Sequence, residues 1–274
     1  MKNSLAPKLP RSIKTGDIIC LGEHVLICGD SSKVDLSVYG NIDLLLTDPP
    51  YGVDYAESKR GIGKIAKDKD ISNDGFMSDQ QYVEFTKSWL SPALSKLSKK
   101  NCIYIFNSDK MIFALRQACL EAGMKIAQLI VWVKDRAIVG RLDYLPQHEL
   151  ILYGWKGTHD FKRGKDKSVA FYPKPSQSKL HPTMKPVGLL RRLILNSTKV
   201  GDTVYDPFGG SGSTLIACEH TKRKCIMVEM DPEYCETIVA RWQKLTGNGQ
   251  AQEADTGADP ETTREDAPVS AWIG

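Results

Sequence analysis

The chain has 274 residues, 41% hydrophobic and 26% charged, enough for one sizeable core and too few for two full enzyme domains with linkers. No apolar run reaches membrane-spanning length, and the first residues lack the apolar segment and cleavage site of a secretory signal. The net charge of +4 is uneven: residues 253–274 carry six acids against Arg264, a net −5 that leaves +9 on the rest and suits a polyanionic partner.

Residues 1–14, punctuated by Pro7 and Pro10, read as a flexible arm, with the core starting near Thr15. The apolar run Ile42-Asp43-Leu44-Leu45-Leu46-Thr47 reads as a buried strand and leads into Asp48-Pro49-Pro50-Tyr51. That tetrapeptide suits ordinary turn chemistry. It also suits the activation of an aromatic amine, whose lone pair is delocalised into its ring. A carboxylate and a backbone carbonyl accepting both N–H hydrogens favour the pyramidal, nucleophilic nitrogen. Prolines fix the turn, and a tyrosine face can stack on a base.

Residues 54–75 mix glycines with Lys59, Arg60, Lys64, Lys67 and Asp68 and show no period, as expected of a mobile loop beside the preceding strand. Ser78-Asp79-Gln80-Gln81 has the form of a capping box opening a helix that reaches Leu97. A strand is predicted over 101–107, a helix from about Asp109 to Glu121 stopped by Gly123, and strands near 126–134 and 148–153. His148 and Glu149 read as the polar start of a core strand rather than as metal ligands. Residues 155–179 interleave Lys162, Arg163, Lys165 and Lys167 with Trp155, Phe161, Phe171 and Tyr172, which suits backbone contact plus stacking on a nucleic acid; a solvated loop with its aromatics turned inward is the other reading.

His181-Pro182-Thr183-Met184-Lys185-Pro186 precedes a helix with apolar Val187, Leu190 and Ile194. A short β-rich run then ends in Asp206-Pro207-Phe208-Gly209-Gly210-Ser211-Gly212, a helical pattern follows, and Lys224-Cys225-Ile226-Met227-Val228-Glu229 is a strand closed by an acid. Strand, glycine turn, helix, strand and acid at about 20 residues' spacing follow the ribose-binding logic of a nucleotide-type α/β unit. The loop is neither G-x-G-x-x-G nor a P-loop, so a nucleoside without a pyrophosphate, S-adenosylmethionine (SAM) above all, fits better. Asp231-Pro232-Glu233 opens a last helix to about Leu245, and residues 246–274 read as a disordered acidic tail. The seven cysteines are scattered with no C-x-x-C pair, which speaks against zinc or redox sites and for a reducing compartment.

Taken together, Asp48-Pro49-Pro50-Tyr51, His181-Pro182-Thr183-Met184-Lys185-Pro186 and Asp206-Pro207-Phe208-Gly209-Gly210-Ser211-Gly212, in that order, resemble the β-class of DNA amino-methyltransferases. The resemblance covers roughly residues 15–245. It implies a Rossmann-like SAM-dependent methyltransferase fold: an α/β, mostly parallel seven-stranded sheet with helices on both faces, in circularly permuted motif order. Val25-Leu26-Ile27-Cys28-Gly29-Asp30 then looks like the displaced adenine-contacting strand, although Asp30 suits a turn or cap equally well. The resemblance places SAM against Asp30, Asp48, Thr183, Lys185, Asp206, Phe208, Gly209, Gly210, Ser211, Gly212 and Glu229, with Glu229 on the ribose and Thr183 and Lys185 toward the methionine end. Asp48, Pro49, Pro50 and Tyr51 would be catalytic, acting on N6 of an adenine flipped from double-stranded DNA. Lys59, Arg60, Lys64, Lys162, Arg163, Lys165 and Lys167 would contact DNA, with 155–179 as a short target-recognition insert.

No metal or membrane partner is expected, a homodimer is a candidate assembly, and the location would be the cytoplasm of a prokaryote or a phage-infected cell, as in restriction–modification. The alternatives are cytosine N4 methylation, RNA N6 methylation, methylation of a protein glutamine, and an idle SAM- or DNA-binding module. In the cytosine group Ser more often stands in place of Asp48.

Overall fold

The computed structural model describes residues 12–52, 76–137, 143–175 and 184–247, together with the strand at 252–253. Eleven strands, β1 (Ile18–Leu21), β2 (His24–Cys28), β3 (Ile42–Thr47), β4 (Leu97–Asn107), β5 (Lys125–Val133), β6 (His148–Trp155), β7 (Thr158–His159), β8 (Val169–Phe171), β9 (Thr203–Asp206), β10 (Lys224–Glu229) and β11 (Gln252–Glu253), alternate with five α-helices. These are α1 (Asp79–Ser95), α2 (Ile112–Glu121), α3 (Val187–Ser197), α4 (Ser213–Thr221) and α5 (Pro232–Thr246). The sheet order is β11-β1-β2-β10-β9-β3-β4-β6-β5-β8, with β7 paired to the start of β4. At its centre lie the seven expected strands, β2-β10-β9-β3-β4-β6-β5, of which only β6 runs against the rest.

Strand periodicity builds the two cores. Successive side chains point to opposite faces. Leu44, Leu46, Tyr104, Phe106 and Met227 join the cluster under α3, α4 and α5, while Leu45, Ile103, Ile105 and Val228 join the cluster under α1 and α2. Buried on both faces, the central strands are nearly continuous runs of apolar residues. Helix α1 opens on the predicted capping box, since the Ser78 hydroxyl accepts from the Gln81 backbone and the Gln81 side chain accepts from the Ser78 backbone. Its buried Tyr82, Val83, Thr86, Trp89, Leu90, Ala93 and Leu94 recur at helical spacing.

Two connections set the site. From β9 the chain passes through α4 to β10 on one side; from β3 it passes through α1 to β4 on the other. The strand order therefore reverses between β9 and β3, where open α/β sheets bind ligands at their carboxyl ends.

Several expectations shift. The core begins earlier than Thr15, because Ile13 is buried in the cluster under α5. Strand β4 starts at Leu97 rather than 101. Its exposed Lys99 and Lys100 hide it from hydropathy, and buried Asn101 secures it by donating to Ser98 O and Lys156 O (2.8 and 2.7 Å). Within the tail, Gln252 and Glu253 pair with Cys20 and Ile19, a backbone ladder that needs no apolar period. The tail beyond Gly247 apart from that pair, residues 1–11 of the arm and all of the 54–75 loop lie outside the described residues. No helix among those described is long and apolar enough to cross a membrane.

Leu45, fully buried between the strands flanking the reversal, is a test of this core. Leu45→Ala is expected to cost about 2–5 kcal/mol in urea unfolding.

Candidate active site

Four acids stand at the carboxyl ends of four neighbouring parallel strands: Asp30 just past β2, Glu229 closing β10, Asp206 closing β9 and Asp48 just past β3. At about 4.8 Å between strands, Glu229 and Asp48 lie roughly 10 Å apart across the sheet. A direct bond ties the two halves, as the Thr47 hydroxyl donates to Asp206 Oδ1 at 2.8 Å.

On the glycine-loop side, Asp206 Oδ1 also accepts from the Phe208 backbone at 3.1 Å. Burial pushes the Asp206 carboxyl up to about 7, against bonds from Thr214 and Thr47, and the charge of Asp48 adds to the rise. Gly210 N donates to Glu229 Oε2 at 2.6 Å and Asp231 N donates to Oε1 at 2.9 Å, and with a further bond from the Met230 backbone they fix the carboxylate. Arg241 of α5 donates to the Ser211 carbonyl and, at 3.0 Å, to its hydroxyl, clamping the loop from behind. A Cβ on Gly209 would stand 2.8 Å from Met227 Cγ, and one on Gly212 would stand 2.9 Å from Ile238 Cγ1. Close helix–strand packing thus demands these two glycines. Gly212 has φ +79 and caps α4 without a side-chain bond. Phe208 packs edge-on to Trp89, with centroids 5.3 Å apart.

On the tetrapeptide side, five groups converge. Lys185 Nζ, just before α3, donates to Asp48 Oδ2 at 2.5 Å and reaches Glu149 Oε2 at 3.1 Å. The Tyr51 hydroxyl lies 2.8 Å from Asp48 Oδ1 and 3.0 Å from Glu149 Oε2, one proton shared between two acceptors. Lys134 Nζ holds Glu149 Oε1 at 2.8 Å. Two carboxylates and two ammoniums form a neutral set, the condition for keeping such charges out of water. Burial would raise the Glu149 carboxyl, but Lys185 and Lys134 outweigh it and bring it down to about 2. Burial opposes the Lys185 ammonium, but Asp48 and Glu149 hold it protonated above its ordinary value. The Asp48 carboxyl is pushed up by burial and by Glu149 against the pull of Lys185. Its side chain remains 26% exposed, open toward the crevice.

Similarity to known proteins agrees with this geometry. The family described as DNA methylase, of the N6/N4 amino-methyltransferases, matches residues 42–240. The Type II methyltransferase M.HpaI of Haemophilus parainfluenzae is 30% identical over 242 residues, 79% of this chain and 73% of that protein. M2.MboI of Moraxella bovis is 29% identical over 231 residues, 75% and 82% of the two chains. The chain belongs to the DNA methylase family. Two solved structures share its fold. The M1.HpyAVI–SAM complex aligns at TM-score 0.58 and 24% identity, covering 79% of this chain and 98% of that one. The cytosine-N4-specific PvuII DNA methyltransferase aligns at 0.67 and 17%, covering 86% and 92%.

In this methylase Asp48, Asp206, Phe208, Gly210 and Glu229 stand together at the carboxyl ends of β3, β9 and β10, with Tyr51 bonded to Asp48. Two placements differ, and Asp30 makes the turn its sequence allowed. Lys185 meets Asp48 and Glu149, so its ammonium belongs to the tetrapeptide cluster. The Tyr51 ring is only 6% exposed, with Lys185 Nζ 5.6 Å from its centroid, because a buried phenol seeks acceptors and two carboxylates supply them. Asp30 keeps its place at the strand end, yet its Oδ1 accepts from the Ser32 backbone and hydroxyl and its Oδ2 pairs with Lys33. Burial would raise its carboxyl; those bonds lower it.

The basic insert also departs from expectation. The Lys162 amide donates to Asn196 O, and Arg192 grips Asp166 through two bonds, which docks the insert on the end of α3 away from Lys185. Eleven helical residues separate the two ends by ~16 Å. Lys162 and Arg163 therefore stand toward the opposite rim of the sheet from Asp48, while Lys167, whose carbonyl accepts from Arg192 in the middle of α3, lies beside the middle of β5. Trp155, Phe161 and Tyr172 pack against the core, and only Phe171, on edge strand β8, is fully open. Lys59, Arg60, Lys64 and Thr183 lie outside the described residues.

Lys134 and Glu149 escaped the motif reading. The signal was present in the two-residue period: Lys134 continues the inward face of Trp132, and Glu149 that of Ile151 and Tyr153. Among the described residues no cluster of His, Cys, Asp or Glu could hold a metal ion.

Asp206 carries a pH signature. Its folded pKa of about 7 exceeds the unfolded value, so the folded state keeps a proton the unfolded chain has lost, and stability falls as pH rises from about 4 to 7. Asp206→Asn keeps an acceptor for Thr47 and removes the charge. It is expected to flatten that fall, worth on the order of a few kcal/mol, in urea titrations across the range.

Proposed function

We propose that this DNA methyltransferase moves the methyl group of SAM to the exocyclic N6 of an adenine flipped out of double-stranded DNA at a specific sequence. The observation that supports this reading is the partly open Asp48 carboxylate, held at the strand reversal and joined through Thr47 to the glycine loop. A carboxylate there, rather than a serine hydroxyl, favours adenine.

The donor supplies an activated sulfonium methyl. On the protein side, Glu229 would take the ribose hydroxyls, Asp30 the adenine amine, and Phe208 with Gly209, Gly210, Ser211 and Gly212 would shape the pocket. Asp48 and the Pro49 carbonyl would accept the two amino hydrogens of the target base, turning its nitrogen pyramidal toward the methyl carbon, with Pro50 fixing the turn. Asp48 is also placed to accept the proton shed by the methylated nitrogen. Positioning and electrostatics would carry most of the acceleration, since the methyl is already activated. Tyr51 would stack on the flipped base only after its ring turns out of the cluster. Arg136, Tyr144, Phe171 and Lys174 stand at the catalytic end of the sheet and form the nearest described surface for the duplex. Such an enzyme would act in the cytoplasm of a prokaryotic cell.

Expression in a host lacking DNA methylation, followed by nucleoside mass spectrometry and long-read mapping, is expected to show N6-methyladenine in one sequence context. N4-methylcytosine without N6-methyladenine would overturn the assignment. Asp48→Ala is expected to lower transfer at least about 10³-fold while SAM binding, followed by calorimetry, persists.

A further inference from the structure

We infer that Glu149, anchored by Lys134, is a positioning residue for methyl transfer: it holds the Lys185 ammonium on one oxygen of Asp48 and, until a base turns the Tyr51 ring out, the Tyr51 hydroxyl on the other. An ionised carboxylate with two lone pairs to spare is thereby presented to the crevice. The inference rests on the role proposed for Asp48.

The geometry has a single hub. Glu149 Oε2 is the atom that Lys185 Nζ (3.1 Å) and the Tyr51 hydroxyl (3.0 Å) share, and each of those groups touches a different oxygen of Asp48 (2.5 and 2.8 Å). The other oxygen of Glu149 is taken by Lys134, whose side chain is 2% exposed. Three sequence-distant elements, the end of β5, the start of β6 and the lead into α3, thus supply side chains with no contact to the glycine loop in order to orient one carboxylate. The bond pattern leaves Asp48 about half of its four lone-pair sites. Without Glu149, Lys134 loses its carboxylate partner, Lys185 rests wholly on Asp48, and of the two carboxylates only Asp48 still faces the Tyr51 hydroxyl.

Among the described residues, the ionisable groups facing Asp48 are Lys185, Tyr51 and Glu149, with Lys134 behind Glu149 and Asp206 across Thr47 on β9. Their charges act on Asp48 in opposite senses. Glu149 favours its protonated form and Lys185 its ionised form. A scaffold role alone would lower the rate without separating these two effects.

The test is single-turnover formation of N6-methyladenine in DNA against pH for the full chain, with SAM affinity and melting temperature measured alongside. The wild-type rate is expected to fall in acid as Asp48 takes up a proton. In Glu149→Gln the plateau should drop about 10²-fold, and the acid limb should move down by about one pH unit. In Lys185→Gln the limb should move up by about one unit. Lys185→Arg keeps the charge, and its limb should stay where the wild type has it; it answers the question even should a glutamine variant not fold. Limbs that move together or not at all, a Glu149→Gln plateau at the wild-type rate, or a Lys185→Arg limb displaced upward would overturn the inference. A wild-type enzyme that forms no N6-methyladenine would instead overturn the reaction on which it rests.

Discussion

One short parallel pairing holds the two half-sites together. Strands β3 and β9 meet through Leu44↔Val204 and Leu45↔Tyr205, and beyond the last pair the Thr47 hydroxyl bonds to Asp206. On one side of this seam, α4 and β10 carry the glycine loop and Glu229. On the other, α1 and β4 carry the chain away from Asp48. Neither motif assembles a crevice alone, because each is the rim of its own half of the sheet. Their juxtaposition follows from the reversal of strand order, and the buried core on both faces makes the seam rigid.

The second constraint is charge. A carboxylate used at a crevice floor loses water, and an unpaired buried charge is costly. The fold answers in two ways. Asp206, which meets no cation at bonding distance among the described contacts, is pushed toward the protonated form. Asp48 is kept within reach of Lys185, and the second acid of the cluster, Glu149, is in turn matched by Lys134. The same cluster explains the buried Tyr51 ring. A phenol among carboxylates is well satisfied, so presenting its face to a base has to be driven by binding energy from the duplex.

Much of this was legible in the order of residues, and the parts that were not have physical reasons. The capping box at Ser78, the apolar run before Asp48, the glycine loop and the acid closing β10 are local signals, and each of these four stands where its pattern put it. The outer strands β1, β8 and β11 are two to four residues long and are held by pairing, which leaves little pattern to read. The Lys134–Glu149–Lys185 cluster joins residues up to 51 positions apart, and each of them alone looks like an ordinary surface charge. The basic insert is the opposite case: its composition suits a polyanion, but composition does not say which rim of the sheet a loop reaches.

The permuted motif order costs the fold nothing, and the termini show why. Strand β2 comes first in the centre of the sheet and pairs in parallel with β10, the last central strand, through Ile226↔Val25 to Glu229↔Cys28. The Ile13 amide reaches Glu236 of α5 at 3.4 Å, so the beginning and end of the described core lie side by side. Joining those ends and opening the chain elsewhere would leave every strand neighbour, both apolar faces and all four strand-end acids in place. The chemistry depends on which strand ends stand next to each other, and the hydrogen-bonded ladder carries that information whatever the order of synthesis.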